Sequence, residues 1–322
     1  MQTLRQLLGT RYSECAGTGA TGGSDVHDLS YYSKCMVGGL FACGLTHTLV
    51  VPIDIVKCKI QAEPNKYRGI VRTFKQLLAA EGSSWITLGW LPTLIGYSVQ
   101  GVAKFGLYEM FKDLYGGFVG KEKADKYKPL IWCSASASAE LIADVFLCPM
   151  EAVKVRMQTS AAGTFPTSLS PALAQIKANE GTAGFYKGLY PLWGRQVPYT
   201  VMKFVVFERT VQFIFESVVQ KTRDECSKAF NLSMTFLSGY IAGVVCAVVS
   251  HPADTIFTTL NKRKTEGPFM ENAKKVYAEL GPKGLWKGLG PRIIMVGTLT
   301  GLQWWIYDSW KTACGLKPTG GK

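Results

Sequence analysis

The sequence has little of the chemistry on which metal centres and disulfide frameworks depend. It contains only three histidines (His27, His47 and His251) and nine cysteines in 322 residues, and no two cysteines form a C-x-x-C pair. The odd cysteine count excludes a complete intrachain disulfide framework, and the histidines share no ligand spacing with the cysteines, which argues against structural zinc. We interpret the cysteines as small buried residues and predict no cofactor.

Charged residues are also scarce. They make up 18% of the chain, against about 25% in average soluble domains, although basic residues outnumber acidic ones and give a formal charge of +13. Hydrophobic residues reach 47%, which excludes a disordered chain. The mean hydropathy of +0.10 is nevertheless low for a protein buried wholly in lipid. This combination predicts a membrane protein with a polar interior or a large soluble domain.

Six segments are long and apolar enough to cross a bilayer, which takes about 20 residues. Two contain no charged side chain (35–53 and 229–253) and four contain some (92–115, 129–159, 191–219 and 290–312). Among the ionisable residues within these four segments are Lys104, Glu140, Asp144, Arg195, Lys203 and Arg292. Because each would cost about 2.5–3.5 kcal/mol facing lipid, we expect them to face one another or a water-filled cavity. The alternative, a soluble protein of amphipathic helices, is disfavoured by the uncharged segment 229–253.

Three landmarks recur in three copies, which indicates an internal repeat. The first is a proline motif: Pro52-Ile-Asp54-Ile-Val-Lys57, Pro149-Met-Glu151-Ala-Val-Lys154 and Pro252-Ala-Asp254-Thr-Ile-Phe257. The second is a pair of glycines seven residues apart, at positions 82 and 89, 181 and 188, and 281 and 288. The third is an aromatic–acid pair nineteen residues further on: Tyr108-Glu109, Phe207-Glu208 and Tyr307-Asp308. Each unit therefore predicts a spanning helix, a polar segment, a short amphipathic helix and a second spanning helix.

The proline motif resembles the signature of the mitochondrial carrier family, P-x-[DE]-x-x-[KR]-x-[KR], and the resemblance covers residues 31–315. It implies an all-α membrane protein with six transmembrane helices in three pseudo-symmetric repeats and short helices on the matrix side. It also implies a secondary active transporter, not an enzyme, that works as a monomer in the inner mitochondrial membrane. Lipid such as cardiolipin would surround it, and both termini would face the intermembrane space.

The repeats predict the boundaries of the chain's parts. We divide it into an N-terminal tail with weak targeting character (1–30), three carrier repeats (31–125, 126–225 and 226–315) and a C-terminal tail (316–322).

The resemblance further implies a ring of ion pairs, or gate, on the matrix side of the substrate path. Its residues would be Asp54, Lys57, Glu151, Lys154 and Asp254. We predict the pairs Asp54–Lys154 and Asp254–Lys57. Glu151 would face the uncharged Phe257, so two of the three possible bonds remain.

A second gate is expected on the cytoplasmic side, after the aromatic–acid pairs. Its residues would be Glu109, Lys112, Glu208, Asp308 and Lys311, with Val211 in place of a third cation. We predict the pairs Glu208–Lys311 and Asp308–Lys112, which leave Glu109 without its cation. For both gates the alternative is ordinary surface charge at helix ends, which the threefold repetition disfavours.

Alignment of the aromatic–acid pairs places two lysines and an amide at one position in the three repeats. Together with nearby residues and a substrate-contact position of the family, they form the predicted substrate site: Gln100, Lys104, Arg195, Gln196, Lys203 and Gln303. Cationic and amide groups suit a small oxyanion such as phosphate. In the alternative, Lys104 and Lys203 snorkel or pair with Glu140 and Asp144.

Alignment of the prolines places His47 and Asp144 at a second shared position, with Glu140 one turn away. A histidine can hold a proton near neutral pH, and neighbouring carboxylates favour protonation of each other. We therefore predict that these three residues couple transport to a proton, the alternative being a core histidine bonded to backbone. The surrounding segments are most similar to family members that carry phosphate, which implies import of inorganic phosphate with a proton or in exchange for hydroxide.

Other functions fit less well. Cys43 lies one turn from His47 and a thiolate suits Cu(I), so copper is an alternative main or second substrate, as is another small anion. The charge of +13 would also suit a nucleic-acid-binding protein, but the cations form no basic stripe. An enzyme is disfavoured because the chain has neither a G-x-S-x-G motif nor a Walker loop.

Overall fold

The computed structural model contains helices and turns in the residues that it describes, which are 28–62, 66–67, 69–120, 126–160, 163–221, 225–263, 269–286 and 289–319. Their side chains are described except at 57–58, 61–62, 81, 253–254, 257–263, 269–270, 283 and 291. The long helices are α1 (Leu29–Ala62), α3 (Trp90–Val119), α4 (Lys128–Thr159), α6 (Leu189–Phe213), α7 (Lys228–Arg263) and α9 (Leu289–Ala313). The short helices are α2 (Ile70–Glu81), α5 (Leu169–Glu180) and α8 (Phe269–Leu285). The predicted N-terminal tail lies outside the described residues except for 28–30.

The long helices form a closed ring in which each packs against two neighbours. Contacts run from α1 to α3, α4, α6, α7 and α9 and then back to α1. Each third of the chain contributes a long, a short and a second long helix. The predicted fold, six transmembrane helices in three pseudo-symmetric repeats, is thereby confirmed.

Length and apolar composition alone select only some of these helices as membrane spans. Among the described residues, the segments selected as membrane spans are Leu29–Val56, Lys128–Thr159 and Lys228–Pro252, which belong to α1, α4 and α7. The other long helices carry Lys104, Lys203 and Lys311, and each lysine lowers the mean hydropathy of its helix. Lys59 of α1 and Lys154 of α4 are buried as well, so the two sets of helices differ in mean hydropathy and not in whether they carry a buried cation.

The two ends of the ring differ. Helices α1, α4 and α7 each run through a proline, Pro52, Pro149 and Pro252, and the short helices pack against these same three helices. We call this end the proline end. The opposite end, where α1 begins and α9 finishes, is called the terminal end.

The first glycine of the repeated pair has the same backbone conformation in all three repeats, directly after α2 and α5 and at a kink within α8. Gly82, Gly181 and Gly281 have φ values of 66°, 66° and 63°, with ψ near −143°, −165° and 174°. Only glycine adopts this region readily, since a Cβ atom would clash with the backbone. The first glycine of the repeated pair is thus explained as the residue that turns the chain out of the short helix.

An ion-pair cluster ties α5 to α4 at the proline end. Glu180, the last residue of α5, lies 2.7 Å from Arg156 of α4 and 2.7 Å from Lys187. Hydrogen bonds from Lys187 and Arg156 lower the pKa of the Glu180 carboxyl below its ordinary value. The cluster holds the second short helix across the end of its repeat.

Within a repeat, the two long helices approach each other at glycines. A Cβ atom on Gly39 of α1 would overlap the carbonyl oxygen of Gly101 of α3, and a Cβ on Gly101 would overlap that of Gly39. In the third repeat, a Cβ on Gly243 of α7 would lie 2.7 Å from the Cα of Gly297 of α9. Backbone contact this close leaves no room for any side chain.

We expect Gly101→Ala to lower the thermal unfolding midpoint of the purified protein in detergent. Forcing the helices apart costs about 1–3 kcal/mol, and each 1 kcal/mol shifts the midpoint by roughly 2–4 °C in a large domain. The matched control is Gly117→Ala in the same helix, where the new Cβ would meet nothing within 4 Å. Equal midpoints for the two variants would contradict the close approach.

Candidate substrate site and gates

A cluster of polar residues fills the centre of the ring, and its first half is a network of acids and donors. Lys104 of α3 lies 2.8 Å from the Oε2 atom of Glu140 of α4 and donates to the hydroxyl of Thr200 of α6 at 3.4 Å. The Gln100 amide donates to Glu140 at 3.1 Å and to Asp144 at 3.0 Å. All five side chains are buried.

The second half of the cluster joins three helices through one amide. Lys203 of α6 donates to the amide oxygen of Gln303 of α9 at 2.9 Å. The amide nitrogen of Gln303 lies 3.3 Å from Nδ1 of His47 of α1, and the same Nδ1 is 2.9 Å from the carbonyl oxygen of Cys43. The imidazole stacks on the ring of Tyr97 at 3.8 Å. Gln303 therefore links a buried cation to the histidine.

The charges of the central cluster balance. Its described members include two lysines, Lys104 and Lys203, and two carboxylates, Glu140 and Asp144, all at most 4% exposed. A buried charge is tolerated only when a partner compensates it. One oxygen of Asp144, Oδ2, has no hydrogen-bond partner among the described residues. The centre is thus formally neutral, with one carboxylate oxygen that lacks a donor.

The structure brings most of the predicted substrate and proton-coupling residues into this cluster but leaves two outside it. Arg195 is 42% exposed and lies 3.8 Å from Glu151 at the proline end, and Gln196 beside it is half-buried. The predicted alternative for Lys104, a pair with Glu140, is present. Cys43 contacts Gln303 at 3.9 Å, and the described residues include no group of three His, Cys, Asp or Glu side chains suited to a metal ion.

At the proline end, the pair Asp54–Lys154 is present with a separation of 3.0 Å. The side chains of Lys57, Asp254 and Phe257 lie outside the described residues, so the second predicted pair is not described. Glu151 has cationic neighbours in Arg195 and Lys154, each at 3.8 Å. Arg195 of α6 is thus a cationic neighbour of Glu151.

At the terminal end, the predicted pairing is wrong. Lys112 of α3 lies 3.6 Å from Glu208 of α6, and Lys311 of α9 lies 4.0 Å from Glu109 of α3. Each lysine therefore reaches the acid on the opposite neighbour from the one that we predicted. The spacing of acid and lysine on one helix specifies their height along the axis but not the direction around the ring, and we chose the wrong direction.

Because the observed pairs run in the opposite direction around the ring, the acid that corresponds to Val211 is Asp308 and not Glu109. Glu109 lies beside Lys311, and the same direction around the ring would pair Asp308 with the position of Val211. The Asp308 carboxylate accepts hydrogen bonds from the hydroxyl of Thr235 at 2.9 Å and from the backbone N–H of Thr319 at 3.0 Å. Both of these donors are neutral groups.

The comparisons with known proteins decide the family. The sequence profile described as "Mitochondrial carrier protein" matches residues 28–118, 125–218 and 228–317. The chain belongs to the mitochondrial carrier family. Membership makes it a transporter of the inner mitochondrial membrane and not an enzyme.

Several carriers are similar to this chain over most of its length. The phosphate carrier protein, mitochondrial, of Caenorhabditis elegans is 50% identical over 310 residues, which are 96% of this chain and 89% of that protein. Solute carrier family 25 member 3 of Homo sapiens is 50% identical over 281 residues, 87% of this chain and 76% of that protein. A probable mitochondrial phosphate carrier protein of Schizosaccharomyces pombe is 49% identical over 291 residues, 90% of this chain and 93% of that protein.

An aromatic layer separates the carrier's central cluster from its terminal-end ion pairs. It consists of Phe105, Tyr108, Phe204, Phe207, Trp304 and Tyr307, each at most 1% exposed. Phe207 stacks on Trp304 at 3.7 Å, and Tyr108 contacts Phe204 at 4.3 Å. Sequence reasoning used Tyr108, Phe207 and Tyr307 only as landmarks. An aromatic residue nevertheless directly follows the position shared by Lys104, Lys203 and Gln303 in the three repeats.

Sequence reasoning also missed the hydroxyl groups that bond to the acids. Tyr31 donates to Glu109 and Tyr108 to Glu208, both at 3.3 Å. The hydroxyl of Thr235 donates in the same way to Asp308, whereas the hydroxyl of Thr200 accepts a hydrogen bond from Lys104. For Tyr108 a signal existed, because an aromatic residue directly precedes each of these acids.

We expect Lys104→Met to destabilise the carrier more than the double variant Lys104→Met with Glu140→Gln. The single change leaves a buried carboxylate without its cation, which typically costs about 3–5 kcal/mol, whereas removing both charges is milder. Thermal unfolding in detergent measures the difference. The control is Lys187→Met, which breaks a pair whose lysine is exposed and should change the midpoint little. A double variant no more stable than the single one would contradict this account.

Proposed function

We propose that this carrier transports inorganic phosphate across the inner mitochondrial membrane together with a proton, or equivalently in exchange for hydroxide, by alternating access. The observation that carries the proposal is the pair of buried lysines, Lys104 and Lys203, among amide and hydroxyl donors at the centre of the ring. The similarity to relatives named as phosphate carriers at about 50% identity supports the same substrate.

In this proposal, Lys203 is the main cationic contact for the anion. The acceptor that it contacts is the neutral amide of Gln303, whereas Lys104 contacts the carboxylate of Glu140. An ammonium group held by an amide can exchange that acceptor for a phosphate oxygen without leaving a carboxylate unpaired. Gln100 and Gln303 supply further N–H donors, and Arg195 with Gln196 receives the anion at the proline end.

The charge balance of the centre supports a proton as the second substrate. The four central charges sum to zero, so a monoanion brings in one uncompensated negative charge. Protonation of one carboxyl group restores neutrality, and Asp144 is the best candidate because its Oδ2 atom has no hydrogen-bond partner among the described residues. A carboxyl O–H on that atom could donate directly to the anion. Glu140, one turn away, and His47, linked through Gln303, share the proton.

We propose that the proline end faces the matrix and the terminal end the intermembrane space. Ion pairs are present at both ends, in Asp54–Lys154 and Glu208–Lys112, and the central residues are buried, which supports assignment of this arrangement to an occluded state. Opening toward either side would break the pairs at that end. Ion pairs that become exposed to water contribute only about 0–1 kcal/mol, which suits contacts that must break in every cycle.

The ring closes within one chain, which supports a monomer as the unit of transport.

We expect Lys203→Met to abolish uptake of labelled phosphate into proteoliposomes, because the variant lacks the cation that binds the anion. The control Lys275→Met removes an exposed lysine of α8 that pairs with Glu271 and should transport normally. A panel with sulfate, dicarboxylates and copper separates phosphate from the alternative substrates. Full phosphate uptake by a folded Lys203→Met protein would count against the site.

We expect Asp144→Asn to separate phosphate movement from the pH gradient. The amide retains an oxygen that can accept the hydrogen bond from Gln100 but cannot carry a proton. Exchange of phosphate for phosphate should therefore continue, while uptake driven by an imposed pH gradient should fall to the level without a gradient. Glu271→Gln, on the exposed surface of α8, serves as the control. Gradient-driven uptake at the wild-type rate would exclude Asp144 as the proton carrier.

A further inference from the structure

Two polar atoms at the aromatic layer are buried and have no hydrogen-bond partner among the described residues. They are Nε1 of Trp304 in α9 and the hydroxyl oxygen of Ser238 in α7, and neither residue is more than 1% exposed. Buried polar atoms in folded proteins are nearly always paired, because an unpaired one keeps the full cost of leaving water. Two such atoms in one packed region therefore require an explanation.

The two atoms lie on the same side of the layer, where α7 packs against α9. A Cβ atom on Gly239, the residue after Ser238, would lie 3.2 Å from Cδ1 of Trp304, and Cδ1 is the carbon that is bonded to Nε1. Ser238 is also one turn from Thr235, whose hydroxyl donates to Asp308 at the terminal end. The N–H edge of the indole and Ser238 therefore lie between the central cluster and the terminal-end acids.

The third repeat alone has polar side chains at these two positions. The position after the shared lysine or glutamine holds Phe105, Phe204 and Trp304. The position fourteen residues before the repeated proline holds Gly38, Ala135 and Ser238. Both departures occur in the repeat that has a neutral amide, Gln303, where the other two have a lysine. This repeat thus lacks an ammonium group at the centre and carries two uncharged donors on the terminal-end side of it.

We propose that Nε1 of Trp304 and the hydroxyl of Ser238 form a second position for the small oxyanion, through which it passes between the central cluster and the terminal end. This inference rests on the proposed function, because under alternating access the anion must cross the aromatic layer to reach that end. An indole N–H and a hydroxyl can both donate to an oxyanion, and hydrogen bonds to a charged acceptor are the stronger ones. Because the two donors give up no other bond when the anion arrives, they lower the barrier to its passage.

The test compares two replacements of Trp304 that have similar size. Trp304→Phe removes the N–H and gives the third repeat the residue of the other two, whereas Trp304→His retains a ring N–H donor. We expect Trp304→Phe to lower the maximal rate of phosphate exchange in proteoliposomes by about 10-fold, the factor typical of losing one hydrogen bond to a charged group. The KM for phosphate should change by less than about 2-fold, because the lost bond forms only during passage. Trp304→His should exchange at least about 5-fold faster than Trp304→Phe, because it keeps a donor.

Equal rates for the histidine and phenylalanine variants would overturn the proposal, since a loss of packing alone affects both alike. A higher KM with an unchanged maximal rate would also overturn it, because the donor would then act in the central binding site. The matched control is Trp310→Phe, which removes an indole N–H that donates to the carbonyl oxygen of Lys34 at 2.9 Å. This control should leave the exchange rate unchanged.

A second pair of variants tests the serine without altering an aromatic ring. Ser238→Ala should slow exchange by at least about 3-fold, and it should not lower the thermal unfolding midpoint in detergent, because removal of an unpaired buried hydroxyl breaks no hydrogen bond. The control Ser136→Ala removes a buried hydroxyl that donates to the carbonyl oxygen of Trp132 at 2.7 Å. It should lower the midpoint and leave exchange unchanged. If Ser238→Ala lowers the midpoint as much as Ser136→Ala does, or leaves exchange at the original rate, Ser238 has no part in the second position.

The two proposals fail in different ways. If the unaltered carrier exchanges no phosphate, the proposed function is wrong. If it exchanges phosphate and the two replacements of Trp304 have equal rates, only the second position in the aromatic layer is wrong.

Discussion

Four formal charges buried at the centre of a ring of helices must compensate one another, and the rest of the structure is organised around that requirement. Neither lipid nor packed apolar side chains can solvate a lysine or a carboxylate. Lys104 therefore lies against Glu140, and one amide, Gln100, donates to both carboxylates. Helices α3, α6 and α9 carry donors, and α4 carries the acids, so the central cluster holds helices of different repeats together. Under the proposed function, this neutrality would make the arrival of an anion and a proton together less costly than the arrival of either alone.

The same requirement is met less completely at the two ends, where the rings depart from threefold symmetry. At the terminal end Val211 stands where a third cation would complete the repeat, and a hydroxyl and a backbone N–H donate to the buried carboxylate of Asp308. At the proline end Glu151 is approached by Arg195 from α6. Between the centre and the terminal-end ring lies a buried aromatic layer that contains no formal charge. Ion pairs become weak once water reaches them, whereas a packed aromatic layer excludes water.

Part of this arrangement of polar residues could be predicted from the spacing of residues in the sequence alone. Repeats in the sequence specify height along the helix axis, and two of the three residues at the shared position, Lys203 and Gln303, are in contact in the structure. Spacing also predicted the pair Asp54–Lys154. It failed for Lys112 and Lys311, because height does not determine which of two neighbouring helices a side chain reaches. It failed for Thr319 as well, since a residue beyond the last helix belongs to no repeat.

The sequence by itself determined the all-helical class, the three repeats, the family and the depth of most polar residues, because each of these depends on periodicity along one chain. The tertiary structure alone decided the direction in which the terminal-end pairs run, the position of Arg195 outside the central cluster, and the contact of Thr319 with Asp308. These depend on how helices are ordered and turned around a common axis. That order arises from packing between distant segments, which leaves no periodic trace in the sequence.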